Sequence, residues 1–155
     1  MAIYRPQFGY DTPKGFRDEQ FHYTFFGFNT PMLNTNIAAG AILSNIPLVL
    51  QTDAPFLWRG TKVSPASSPF SNPQLSIQFK DPWGNYLSKS LVPIALYVPA
   101  FNGNVGGFGV NVLEPEIRCP AGGIIWLWLQ NPTGSPVAPP QVSVYGVKRY
   151  RVIPT

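Results

Sequence analysis

Hydrophobic and polar positions change rhythm along this chain. From residue 46 onward, short apolar runs of strand length are separated by turn formers at regular spacing. "IPLVLQ" (46–51) and "PFLWRGTKV" (55–63) lie on either side of the turn-like "TDAP". "QLSIQFKD" (74–81) alternates, with Leu75, Ile77 and Phe79 on one face and Ser76, Gln78 and Lys80 on the other, the pattern of a strand with one wet face. The turn formers Asp81, Pro82, Gly84 and Asn85 follow. In "SLVPIALYV" (90–98), Pro93 lacks an N–H and predicts a sheet edge or a bulge. "NGNVGGFG" (102–109) reads as a loop, "GGIIWLWLQN" (122–131) as a central strand apolar on both faces, and "QVSVYGVKRYRV" (141–152) as the closing strand with a bulge at Gly146. Six or seven such strands, with no helix between them, predict an all-β fold, an antiparallel β-sandwich or jelly roll, with a closed barrel as the next choice.

Residues 1–45 break this rhythm. Gly9, Pro13, Gly15, Gly27, Pro31 and Gly40 leave no room for a long helix, so the pattern predicts an extended N-terminal arm over 1–45 and a body over 46–155. "NTNIAAGAILSN" (34–45) supports one or two helical turns, weakened by Gly40. Within the arm, "FHYTFFGF" (21–28) gathers Phe21, Tyr23, Phe25, Phe26 and Phe28 around the only histidine, His22. Two readings stay open. The rings lie on a neighbouring subunit, each able to remove roughly 150–250 Å² from water; or the segment is a strand of the protein's own sandwich, since Phe21, Tyr23 and Phe25 alternate with His22 and Thr24. The first is preferred, with His22 a hydrogen-bonded bystander whose protonation near pH 6 weakens the seam.

Composition sharpens the picture. Eighteen prolines and 14 glycines in 155 residues suit short strands and turns, and charged residues make up 12% of the chain, against about 25% in ordinary soluble domains. A surface so poor in charge favours association over a dilute monomer. The net charge of +4 is small and dispersed, which argues against nucleic acid. Its one concentration, Lys148, Arg149 and Arg151, suits a solvated strand edge or a protein contact. The start of the chain has no signal-peptide pattern, and the longest apolar run, "IIWLWL", is too short to span a bilayer. A soluble compartment and no membrane partner are therefore expected.

Candidate chemistry is sparse. One histidine and one cysteine, Cys119, exclude an internal disulfide and a conventional zinc site, so no metal and no cofactor is expected. No nucleophile motif surrounds His22 or Cys119, and nothing pairs the seven carboxylates for glycosidase work. Of the four tryptophans, Trp126 and Trp128 share a strand face with Ile124 and are expected in the core, Trp58 is undecided, and Trp83 in its turn, with Tyr86 nearby, is a candidate sugar platform.

The succession "TDAPFLWRG", "LSIQFKDPWGNYLS", "CPAGGIIWLWLQN" and "VSVYGVKRY" resembles the jelly-roll cement or decoration proteins of tailed-bacteriophage heads and their relatives elsewhere in the particle. As the pattern maps here, over residues 46–152, Asp53, Phe56 and Arg59 fall in an early strand. Asp81, Gly84, Tyr86 and Leu87 form a hairpin turn and its exit, Pro120, Gly122 and Gly123 precede a core strand, and Tyr145, Gly146 and Lys148 carry the last strand's signature. The long aromatic N-terminus and "NPTGSPVAPP" depart from it, leaving the capsid, the head-to-tail junction and the tail all open as locations. The resemblance implies a non-enzymatic virion protein without cofactor, assembled in the host cytoplasm. Its expected partners are the major capsid protein or another virion protein and further copies of itself, with Phe21, His22, Tyr23, Phe25, Phe26, Phe28, Lys148, Arg149 and Arg151 as the candidate contact residues. A carbohydrate-binding sandwich module is the alternative from another class.

Overall fold

A computed structural model describes residues 12–25, 36–64, 75–94 and 111–153. These form eight strands: β1 (Phe16–Thr24), β2 (Ile42–Val49), β3 (Phe56–Ser64), β4 (Ser76–Lys80), β5 (Val92–Pro93), β6 (Asn111–Cys119), β7 (Ile124–Gln130) and β8 (Gln141–Arg151). They lie in two four-stranded antiparallel sheets, ordered β1-β8-β3-β6 and β2-β7-β4-β5. Every connection except β4 to β5 passes from one sheet to the other.

The two sheets share one core. On the second sheet, Ile46 and Leu48 of β2, Ile77 and Phe79 of β4, and Ile125, Leu127 and Leu129 of β7 point inward. The first sheet answers with Tyr23, Phe56, Trp58, Val63, Val142 and Val144. Trp58 meets Phe79 edge-on across the core, ring centroids 5.7 Å apart, an arrangement aromatic quadrupoles favour. Its buried indole N–H donates to the Gly60 carbonyl at 3.0 Å, which removes the cost of placing that polar group inside.

Several expectations change. Residues 16–24 are not an arm: β1 pairs with β8 along its whole length, from Phe16 opposite Arg151 to Thr24 opposite Ser143. Tyr23 and Phe25 are core residues, so the body begins before residue 46. The short helix is absent from 36–45. Ala41 N–H closes a turn onto the Ala38 carbonyl at 3.1 Å with Gly40 at φ +68°, a conformation that belongs to a type II turn and stops helical propagation. β2 then starts at Ile42. The sequence reads as a loop around Pro115, flanked by Glu114 and Glu116, where the structure has β6. The pairing of β6 with β3 skips from Ile117 to Val112, so the proline falls in the irregular stretch, where no ladder bond needs its missing N–H.

Bulge placement also differs. The irregularity against β8 lies on β3, between Trp58 and Gly60, while Gly146 is the residue opposite Trp58. Pro93 does lie at a sheet edge, in β5. The loop expected at 102–109 and the remainder of 95–98 lie outside the described residues.

Candidate functional site

Alternation along β1 splits the aromatic segment between two faces. Phe21, Tyr23 and Phe25 turn inward: Tyr23 packs edge-on against Phe56 at 5.0 Å, and Phe25 lies 6.0 Å from Phe79. The Tyr23 hydroxyl accepts the Gln51 N–H at 3.1 Å, which satisfies its one polar atom at the core's rim. His22 faces outward beside Tyr145, at 5.8 Å. The seam expected on a neighbouring subunit is therefore filled within the chain itself for Tyr23 and Phe25; Phe26 and Phe28 lie outside the described residues.

The basic cluster on β8 divides in the same way. Lys148 points inward and is buried, its ammonium 4.1 Å above the Phe21 ring and hydrogen-bonded to both Asp53 carboxylate oxygens, at 2.9 and 3.0 Å, and to Gln51. It thereby fastens the β2–β3 turn to β8. Arg149, one residue on, points outward and grips Asp18 of β1 with two parallel bonds of 2.8 and 2.7 Å, the bidentate geometry that makes an arginine–carboxylate pair strong. Arg59 joins the same network through Glu116 at 2.7 Å and Asp18 at 3.7 Å. One chain of charges thus crosses β1, β8, β3 and β6. Lys148 and Arg149 are internal clips, contrary to the solvated edge or partner contact expected of them, while Arg151 is exposed.

These contacts set the acid–base behaviour. Hydrogen bonds from Arg149, aided by its charge, hold the Asp18 carboxyl below the usual range against the opposing effect of burial. Bonds from Tyr150 and then Lys148 lower Asp53 likewise, and the same bond pushes the Tyr150 phenol up to about 12. Burial pushes the Cys119 thiol to about 12, which keeps it an inert thiol at neutral pH. A carboxylate lowered on folding adds stability that is complete above its unfolded value and is lost as pH falls through the folded one. Thermal melts are therefore expected to hold level above about pH 4 and to fall below it. Asp18→Asn should lower the neutral-pH plateau and flatten that acid limb; an unchanged limb would remove the network's role.

The second sheet carries a different surface. Its outward face places Ile124 and Trp126 of β7 opposite Val49 and Pro47 of β2, and Trp128 opposite Gln78 of β4, with Val49 63% exposed. Trp126 and Trp128 are thus not in the core. β7 is apolar on both faces, so its alternation does not say which side goes in; Leu127, opposite both Ile46 and Phe79, turns inward with Ile125 and Leu129, and the indoles go out. Tyr86 packs on Trp128 at 5.5 Å and receives the Lys80 ammonium 5.3 Å over its ring.

Trp83 stands at the end of this sheet in the turn the sequence marks. The Asp81 carboxylate accepts the N–H groups of Trp83 and Asn85 at 2.9 and 2.8 Å, and Gly84 takes φ +92°. The Trp83 indole N–H is pinned to the Arg118 carbonyl at 2.8 Å, leaving the side chain 65% exposed and held in place. Tyr86 is 53% exposed.

Each of Asp18, Glu19, Asp53, Asp81 and Glu116 is engaged in a structural bond or ion pair. Among the described residues no group of three His, Cys, Asp or Glu side chains is placed to hold a metal ion. Comparison with protein-family models, with curated proteins and with solved structures found no match.

Proposed function

We propose that this chain is a non-enzymatic structural subunit of a tailed-phage virion, a jelly-roll cement or decoration protein that lies against neighbouring major capsid subunits. Strand order supports the jelly-roll part. β1 pairs with β8, β2 with β7, β3 with β6 and β4 with β5, as in one long hairpin, and contacts of β8 with β3 and β7 with β4 roll that hairpin into two sheets. This is a rolled Greek-key arrangement of the kind found in viral capsid domains. A fold alone does not specify function, so the functional part rests on surface chemistry.

The observation that carries it is the outward face of the second sheet, where Trp126, Trp128, Ile124, Pro47 and Val49 stand together on a protein with few charges. Aromatic residues in a water-excluding patch are the usual anchors of protein contacts. A capsid lattice offers the many-copy partner for such a face. Cryo-EM of the intact particle tests this reading: hundreds of copies on the icosahedral lattice with this face against capsid protein are expected. Six or twelve copies at one vertex would assign the chain to the head-to-tail junction or tail, and its absence from particles would end the proposal.

One observation favours a second reading. Trp83 is exposed yet immobilised by its bond to Arg118, which is how a stacking surface for a sugar ring is built. Glycan binding that disappears in Trp83→Ala would favour a carbohydrate-binding module instead.

A further inference from the structure

The four sheet edges are not alike. β2 carries Pro47 and a break in register after Leu43, with Asn45 at φ +54°. β5 is two residues long and ends in Pro93, and β6 contains Pro115 within its irregular stretch. Each of these features blunts an edge against further pairing. β1 has none of them: nine residues without proline, glycine or bulge, paired in unbroken register with β8 and, among the described residues, with no strand on its other side.

Hydrogen-bond parity identifies what its other side presents. Phe25 N–H bonds the Val142 carbonyl and Val152 N–H bonds the Gly15 carbonyl. In this register the odd-numbered residues of β1 therefore direct both backbone groups toward β8, and the even-numbered ones direct theirs away. Phe16 N–H turns back to the Pro13 carbonyl. Asp18, Gln20, His22 and Thr24 are left as a row of donors and acceptors along an edge that no described strand pairs.

We propose that this edge pairs with β1 of a second copy, antiparallel about a two-fold axis through Gln20, joining the two first sheets into one of eight strands. Gln20 is the midpoint of Phe16–Thr24, so this register overlaps all nine residues and brings every outward backbone group of one strand opposite one of the other. It is also complementary in side chains. Gln20 meets Gln20 of the other copy, amide to amide, and His22 comes opposite Asp18, whose carboxylate stays bonded to its own Arg149, once on each side of the axis. Such directly opposed pairs are the unit of sheet stabilisation. The nine residues include Arg17, Asp18 and Glu19, with a formal charge of −1 when His22 is neutral, so two copies meet without strong repulsion. The proposal deepens the self-association contained in the reading above and is tested on the isolated protein, so its failure leaves the particle experiment untouched.

Sedimentation of the purified chain is expected to show a dimer that dissociates on dilution. Gln20→Pro removes an N–H that β8 does not use, so the variant should keep its melting temperature within a few degrees and raise the dimer dissociation constant at least about tenfold. Gln20→Lys, which sets like charges across the axis, should do the same without any backbone change. Gln20→Cys places two thiols opposite one another at about 5.5 Å between Cα atoms, within disulfide reach, and mild oxidation should yield a covalent dimer, with the buried Cys119 taking no part. A monomeric wild type at high concentration, or a dimer that all three variants leave unchanged and uncrosslinked, overturns the proposal.

Discussion

Gly146→Ala is expected to destabilise the fold severely. A Cβ at this position would lie 1.8 Å from the Leu57 carbonyl oxygen and 2.8 Å from its carbon, with the Phe56 ring at 3.0 Å. The obstruction is backbone of the adjacent central strand, held by the ladders to β6 and β8, so no rotamer change relieves it. Forcing those strands apart should cost about 3 kcal/mol or more, a large part of the roughly 5–15 kcal/mol that holds a domain of this kind. Circular dichroism melts would register it as a fall in Tm of about 10 °C or more, or as loss of the soluble protein. Gly134→Ala supplies the control, because a Cβ there meets nothing within 4 Å and the glycine has no positive φ. A variant at 146 with an unaltered melt would show that β3 and β8 do not approach as described.

The second large effect concerns the N-terminal segment. Removing the chain through Phe25 deletes β1, uncovers the side of β8 that it pairs, and empties the places of Tyr23 and Phe25 against Phe56 and Phe79. Emptying a single buried phenylalanine site costs about 3–5 kcal/mol, so Phe25→Ala alone should melt far below the parent, and the truncation should not fold cooperatively. Had the segment been the detachable arm that its glycines and prolines suggest, the truncated body would fold normally. Melts and amide NMR spectra of the two variants separate these outcomes, and a sharply folded truncation would return β1 to the status of an accessory.

How far the chain alone reveals its fold follows from where each signal resides. β4 was legible because Leu75, Ile77 and Phe79 alternate with polar residues, and pleating turns that alternation into one buried face. The turn at Asp81–Asn85 was legible because its chemistry is local. β7 was legible as a strand but not in its facing, since either set of its side chains is apolar enough for a core. β6 was hidden by Pro115, whose damage depends on a partner strand's register. The aromatic run of β1 carried two physical meanings, and only β8, over a hundred residues away, chooses between them. The ionic clips were invisible for the same reason: Asp18 finds Arg149 and Asp53 finds Lys148 only after the whole chain has closed. Of the candidate surfaces, the sequence marks Trp83 and Tyr86 as an exposed platform, whereas its pattern points Trp126 and Trp128 to the interior, and the structure turns them outward.

The position of β8 between β1 and β3 constrains how the molecule comes into being. On a ribosome the middle of the first sheet is the last strand to emerge, so β1 and β3 wait without the element that joins them. Chains of this kind, dominated by pairings remote in sequence, acquire structure late and slowly, on the order of milliseconds to seconds. During that interval the aromatic residues of both sheets stand open to other nascent chains, which makes production yield more sensitive to chaperone supply and temperature than the stability of the finished protein would suggest.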